Sequence, residues 1–130
     1  MTAAGDGSGA DVTPFRLLIR MVVAPADQAE FEKVWLEMAA TAERHPANVA
    51  QWLAKDRNDP EVYYIASDWT DHAAYREFIA GPGHAEHAAR LKELRREQTL
   101  TSMSLLHHLV GPASRRPEPG GADPGKESAP

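Results

Sequence analysis

The residues best suited to chemistry in this chain cluster between Val62 and Ile79. Asp68 and Trp69 stand at the end of a predicted strand, and Tyr75 follows one to two turns into a predicted helix. A strand that turns directly into a helix brings two large rings and a carboxylate to one corner. We therefore expect this corner to be the rim of a ligand pocket.

Each of these groups also has a purely structural interpretation. Large aromatic rings at the junction of a strand and a helix often only pack the core. Asp68 could act as a base, but it could also cap the next helix or pair with an arginine. Arg20 lies on a strand with apolar residues on both faces, where a buried cation needs either an ion-pair partner or a substrate. The sequence leaves these alternatives open.

Two histidines, His84 and His87, lie on the apolar side of a predicted helix. Their spacing could supply two metal ligands, but a zinc site needs three or four, and no third ligand follows at a motif spacing. No metal is therefore predicted. Imidazole titrates near neutral pH, and Gly83 leaves the approach to His84 open, so His84 is the predicted proton acceptor of the cavity.

Hydrophobic periodicity gives the elements that must position these groups. The predicted order is β-α-β-β-α-α-β, with strands over residues 15–23, 48–55, 62–69 and 99–110 and helices over residues 27–44, 71–79 and 84–98. This is the order of an α+β, ferredoxin-like antiparallel sheet whose second helix is broken in two. Asp27 with Glu30 is the predicted cap of the first helix, and Thr70 or Asp71 that of the second.

Apolar residues occupy both faces of the predicted sheet. The helices can cover only one face, and the other would leave an apolar patch in water that is too large for an ordinary monomer. A second copy of the chain is the simplest cover, so we expect a symmetric homodimer.

The composition of the whole chain bounds the classes of function. Its net charge of -5 provides no positive field for nucleic acid, and its 42% hydrophobic content suits one globular domain. There is no cysteine, no export signal and no apolar run long enough for a membrane span, so we expect a cytoplasmic protein without membrane or nucleic-acid partners. Residues 1–13 are predicted to be a disordered leader, 14–111 the domain, and 112–130 a disordered Pro/Gly-rich tail.

Three stretches resemble the antibiotic biosynthesis monooxygenase family, within the dimeric α/β-barrel superfamily. They are F-R-L-L-I-R-M-V-V-A-P from Phe15, the strand and helix over residues 62–79, and G-P-G-H over residues 81–84. The resemblance covers about residues 15–110. It implies a barrel built from two sheets across a dimer, with a ligand cavity in each subunit between its own sheet and helices.

The resemblance also implies a reaction. Quinone-forming members oxidise phenolic polycyclic ketones of the anthrone type with O2, without metal, flavin or haem. Such chemistry needs a dry aromatic slot, a donor for the developing oxyanion and a base. Trp69 matches the tryptophan that closes strand three in these enzymes, and Tyr75 matches a pocket tyrosine. The predicted catalytic residues are Trp69, His84, Arg90 and Asp68.

The chain departs from the family pattern at the oxyanion donor. Some members carry an asparagine four residues before the tryptophan, where this chain has Ile65, so the predicted donor is Tyr64, His84 or Arg20. An arginine on the helix before the last strand corresponds to Arg90, or, with a shift of one residue, to the position of Ala89. The predicted substrate-binding residues are Tyr75, Tyr64, Phe78, Ile65, Arg20, His87 and Met103.

Two other functions fit the same pocket. One is a polyketide cyclase or isomerase that moves protons with His84 or Asp68 and does not use O2. The other is a dimer that binds a small ligand without catalysis, as an accessory protein of a biosynthetic complex. A haem-degrading branch of the superfamily fits poorly, because strand one has no asparagine and the helix after the tryptophan offers only His72.

Overall fold

Four antiparallel strands form one sheet in residues 13–114, the part of the chain that the computed structural model describes. The strands are β1 (Phe15–Val22), β2 (Asn48–Lys55), β3 (Val62–Trp69) and β4 (Glu97–Ser104), in the order β2-β3-β1-β4. The helices are α1 (Gln28–Ala42), α2 (His72–Ile79) and α3 (Pro82–Leu94). The α+β ferredoxin-like fold expected from the sequence is confirmed.

Alternation along β1 and β3 decides which side chains meet the helices. Ile19 pairs with Ile65, and Met21 with Tyr63. Met21, Tyr63 and Ile65 are buried in one core cluster with Phe31 and other apolar residues of α1 and α3. Successive strand residues point to opposite faces, so the odd-numbered residues of both strands make the helix face of the sheet. The even-numbered residues make its open face.

A second apolar cluster closes the other end of the helix face. Phe15, Leu17 and Trp69 are buried there with Ala42, and side chains of α2 pack against them. Asp71 caps α2, because its side chain accepts a hydrogen bond of 2.8 Å from the backbone N–H of Ala74. The cap fixes α2 against the end of β3.

The predicted boundaries of the last two elements were wrong. α3 begins at Pro82, which suits the first turn of a helix because its missing N–H has no partner there, and it ends at Leu94 rather than at residue 98. β4 ends at Ser104 rather than at residue 110, because Ser104 pairs with Phe15, the first residue of β1. Beyond it β1 offers no further strand backbone to pair with.

The predicted capping box of α1 was also wrong. Asp27 belongs to a short 3-10 turn before the helix, and its backbone has a helical rather than an extended conformation. A capping side chain needs an extended backbone at its own position to reach back to the helix N–H groups. Asp27 therefore makes no side-chain cap hydrogen bond.

The open face of the sheet carries large side chains without a covering layer in the described chain. Trp52 of β2 is 49% exposed, and the Arg16 guanidinium lies 5.1 Å from the centre of its ring. Residues 1–12 of the predicted leader and residues 115–130 of the predicted tail lie outside the described range. Within the described range, none of the helices has the length and apolar character that crossing a membrane requires.

Candidate active site

A cavity of about 420 Å³ lies between the helix face of the sheet and α3. Leu17, Ile19 and Met21 of β1 form its floor, and Ala88 and Leu91 of α3 form part of its roof. The cavity reaches Leu100 of the edge strand β4, which is 53% exposed. Its walls are mainly apolar, as is usual for sites that bind small molecules.

Three of the predicted site residues line this cavity: His84, Tyr75 and Ile65. They come from α3, α2 and β3, so the cavity lies where these elements meet. Ile65 pairs with Ile19 across the sheet and presents an apolar side chain. The cavity therefore has an apolar side chain at the position where the sequence resemblance implies an amide donor.

His84 is a titratable side chain of the cavity whose surroundings favour the neutral imidazole. It is half-buried at the start of α3, with its ring 5.3 Å from that of Phe78. Burial, and second the neighbouring His87, lower the pKa of His84 below its ordinary 6.5, because both disfavour the imidazolium ion. Its Nδ1 atom is buried without a hydrogen-bond partner in the described part of the chain. A neutral imidazole with an unpaired nitrogen can take or give a proton.

Tyr75 provides a phenol that stays protonated. Burial raises the pKa of Tyr75, because an apolar environment disfavours the phenolate. Its ring packs against Phe15 at 5.4 Å and against Trp69 at 5.5 Å, so its position is fixed by the core. Its hydroxyl makes no hydrogen bond to any other residue in the range 13–114. It is therefore available as a donor to a bound molecule.

Trp69 and Phe78 stand behind the cavity and do not line it. Trp69 is 1% exposed, and its ring contacts those of Tyr75, Phe78 and His45. Its indole N–H donates to the Ser67 hydroxyl at 2.6 Å. The indole N–H is therefore not free to bind a ligand. The contact between the two rings helps to fix the position of Tyr75.

Four predicted site residues lie on the wrong face of the sheet. Tyr64 pairs with Arg20, and Asp68 and Met103 both pair with Arg16. Arg16 and Arg20 lie on the open face, and directly paired residues of neighbouring strands lie on the same face. Successive strand residues alternate between faces, so these side chains point away from the helices and their cavity. The prediction that they share one hollow with Trp69 and Ile65 is corrected.

The partner of Asp68 explains its burial. Its two carboxylate oxygens accept hydrogen bonds of 2.7 and 2.9 Å from Arg16. This pairing raises the pKa of Arg16. Asp68 is thus the arginine-paired carboxylate that the sequence had left as one alternative, and it has no path to the cavity through the sheet.

His87 and Arg90 occupy other sides of α3. The Nε2 atom of His87 lies 3.9 Å from a carboxylate oxygen of Glu37 on α1. Arg90 is exposed and forms an ion pair of 2.5 Å with Glu30. Ala89, the position next to it, faces the cavity instead. Arg90 is therefore not the polar group of this site.

Sequence reasoning missed the polar residues at the far end of the cavity. Lys92, Arg95 and Gln98 line it, together with Met38 of α1. His84, Ala88 and Lys92 follow helical spacing and share one face of α3, and Arg95 is the residue that follows the helix at its C-terminal end. That spacing is readable in the sequence, but a charged residue such as Lys92 is more typical of a solvated helix face.

The described residues contain no group of three or more His, Cys, Asp or Glu side chains arranged for a metal ion. Within these residues, His84 and His87 have no third potential metal ligand beside them. The side chains that line the cavity can transfer protons, donate hydrogen bonds and exclude water.

Comparisons with known proteins agree with this geometry. Residues 14–90 match the family model for antibiotic biosynthesis monooxygenase. The chain is 34% identical over 93 residues to deoxynogalonate monooxygenase from Streptomyces nogalater, a match that covers 72% of this chain and 76% of that protein.

Solved structures give the same grouping. SnoaB, a cofactor-independent oxygenase from Streptomyces nogalater, matches with a TM-score of 0.68 at 31% identity, over 75% of this chain and 97% of that one. A putative antibiotic biosynthesis monooxygenase from Caulobacter crescentus matches with a TM-score of 0.70, over 75% of this chain and 94% of its own. Its 18% identity makes that second likeness one of fold.

Proposed function

The chain belongs to the antibiotic biosynthesis monooxygenase family, and from this premise we propose that it oxidises an anthrone-type phenolic to a quinone with O2 and no cofactor. The family and the oxygenase class expected from the sequence are confirmed. Independence from a cofactor is supported by SnoaB, which is described as a cofactor-independent oxygenase. The substrate class is our proposal.

One observation carries the proposal: a mainly apolar cavity that holds a neutral imidazole and a protonated phenol. Without a cofactor, the substrate itself must supply the electrons that reduce O2. An anthrone does so once it has lost a proton from the CH2 group of its central ring, which lies opposite the carbonyl and between the two aromatic rings. An apolar site keeps the resulting carbanion from being reprotonated by water.

The proposed reaction balances without another reagent. His84 removes one proton from the CH2 carbon, and the carbanion transfers electrons to O2 and forms a C–O bond, giving a peroxide. The protonated His84 returns its proton to the peroxide and then removes the second proton from the same carbon, as the O–O bond breaks and hydroxide leaves; the hydroxide takes that proton. One oxygen atom becomes the new quinone carbonyl and the other leaves as water.

Tyr75 is the proposed donor to the oxygen that develops negative charge. Ile65 occupies the position where some relatives carry an amide, and the earlier candidates Tyr64 and Arg20 lie on the open face. Tyr75 stays protonated because its pKa is raised, so its hydroxyl can donate to the substrate oxygen in the carbanion. Trp69 supports this role from behind, by contact with the Tyr75 ring.

A homodimer is part of the proposal. The open face presents Trp52 and neighbouring apolar side chains that a second copy would bury, in line with the dimeric barrel that the sequence resemblance implies. The cavity lies on the other face, within one subunit, so the dimer would stabilise the sheet that forms its floor. We keep the cytoplasmic location as a prediction from the absence of cysteine.

Oxygen uptake tests the proposal against its rivals. The purified chain is incubated with a tricyclic anthrone while an oxygen electrode and quinone absorbance are recorded together. We expect one O2 consumed for each quinone formed, with the rate proportional to enzyme. A cyclised or isomerised product without loss of O2 would overturn the proposal in favour of proton-transfer chemistry, and binding without turnover would favour an accessory role.

A further inference from the structure

The two ends of the cavity differ in chemistry. His84 and Tyr75 lie at the end near Phe15 and Phe78. Lys92, Arg95 and Gln98 lie at the other end, where Gln98 pairs with Met21 near the close of β1. His84 and Lys92 are eight residues apart on α3, which corresponds to about 12 Å along the helix axis. The cavity is thus long, with its acid-base groups at one end and positive charge at the other.

Lys92 and Arg95 have no carboxylate partner in the part of the chain that the structure describes. Neither Lys92 nor Arg95 takes part in an ion pair among residues 13–114, in contrast to Arg90, which sits two residues before Lys92 and pairs with Glu30. A lysine in the last turn also stabilises the helix C-terminus, so Lys92 alone would indicate little. Arg95 lies beyond the last helical residue and adds a second positive charge to the same cavity wall.

We propose that Lys92 and Arg95 bind a carboxylate of the substrate, so that the enzyme selects aromatic acids over neutral aromatics of the same shape. This inference rests on the proposed function and names its substrate class more closely. Two cations beside a mainly apolar wall recognise an anion attached to a hydrophobic body, and Gln98 adds an amide donor. The acid group would lie at the Lys92 end, and the reacting carbon would then lie beside His84.

Binding of an unreactive pair of ligands tests this proposal apart from catalysis. Titration calorimetry compares anthracene carboxylate, which lacks the oxidisable carbon, with its methyl ester. For the full chain we expect the acid to bind about tenfold more tightly than the ester at low salt. The preference should shrink as salt is added, because both cations are near solvent.

Paired substitutions identify the residues responsible. The double variant Lys92→Gln, Arg95→Gln should lose the preference for the acid while binding the ester as the wild type does. Lys33→Gln is the matched control, since Lys33 is an exposed lysine on α1 that does not line the cavity, and it should keep the preference. A preference that survives in the double variant, equal binding of acid and ester, or no binding of either ligand would overturn the proposal.

The same titration keeps this proposal separate from the proposed function. A wild-type preference for the acid that disappears in the double variant supports the carboxylate site even if no anthrone is oxidised. Oxidation of anthrones without a preference for acids would leave the oxygenase proposal intact and overturn this one.

Discussion

His84 sets the pH at which the proposed reaction can run. Its lowered pKa means that the imidazole is neutral at neutral pH and becomes protonated only as the pH falls through that lowered value. A protonated imidazole cannot accept the substrate proton. We therefore expect kcat to stay level at neutral pH and to fall on the acid side with a midpoint below the ordinary 6.5.

Substitution of the two histidines separates their roles. His84→Gln should lower kcat by about a hundredfold, because general base catalysis contributes on that order. His87→Gln should keep the rate and move the acid midpoint upward, since His87 lies toward Glu37 and is the second cause of the lowered pKa of His84. Stopped-flow measurement of quinone formation gives both. An active His84→Gln enzyme would contradict the assigned base.

Asp68 is expected to matter for stability and not for chemistry. Asp68→Asn leaves the Arg16 guanidinium without its carboxylate, and we expect the free energy of unfolding to fall by about 1–3 kcal/mol. Chemical denaturation measures the loss, and kcat at a temperature where the variant is folded should match the wild type. A large fall in kcat in a folded variant would return Asp68 to the catalytic residues.

At the scale of elements, one face of α3 lines the cavity. Ala88 lies between His84 and Lys92 on that face, and its small side chain leaves room for a ligand. Arg90 lies off the face and pairs with Glu30 across to the neighbouring helix. A larger side chain at Ala88 should therefore reduce ligand binding, whereas a substitution at Arg90 should not.

Ala88→Phe should block the cavity, and Arg90→Gln is its control. We expect kcat/KM for an anthrone to fall about tenfold or more in Ala88→Phe, because the new ring occupies space that the substrate needs. Arg90→Gln should stay near the wild type, since an exposed ion pair contributes little. Circular dichroism checks that both variants fold. Equal activities in the two variants would place the site elsewhere.

The sequence predicted the order of strands and helices more accurately than it predicted the face of the sheet on which each side chain lies. The order of strands and helices followed from periodicity, and the structure places the predicted site residues His84 and Tyr75 along one cavity. Tyr64 was placed beside Ile65, although adjacent strand residues point to opposite faces. Register across strands, such as Arg16 opposite both Asp68 and Met103, depends on how separate strands align, and a single sequence does not contain that information.

Charge misled the interpretation of α3 in a similar way. Lys92 has the helical spacing of a cavity residue, but a charged side chain on a helix ordinarily faces solvent. The helical spacing of Lys92 indicates the far end of the cavity, whereas its charge indicates solvent. Long charged side chains commonly pack their apolar stems along an apolar wall while the charge stays near water.

At the scale of the whole molecule, the open face of the sheet should make the protein a homodimer. Analytical ultracentrifugation of the full chain is expected to give twice the mass of one chain at micromolar concentration. Trp52→Glu should shift the mass toward one chain, because it puts a charge into the proposed interface.

The matched control for that experiment is Leu36→Glu. Leu36 is also an exposed apolar residue, 62% accessible, but it lies on α1 and away from the open face. This variant should remain dimeric. A wild-type chain that sediments as a monomer would contradict the dimer and leave the cavity to be explained within a single subunit.

Isotopically labelled O2 tests the central claim most directly, that the cavity carries an oxygenase reaction driven by the substrate's own electrons. The enzyme is incubated under labelled O2 with a tricyclic anthrone in unlabelled water, and the quinone is analysed by mass spectrometry. We predict one labelled oxygen atom in each quinone, with formation of the labelled product suppressed in Ala88→Phe. A quinone whose new oxygen comes from water, or labelled product formed equally well in Ala88→Phe, would contradict the account.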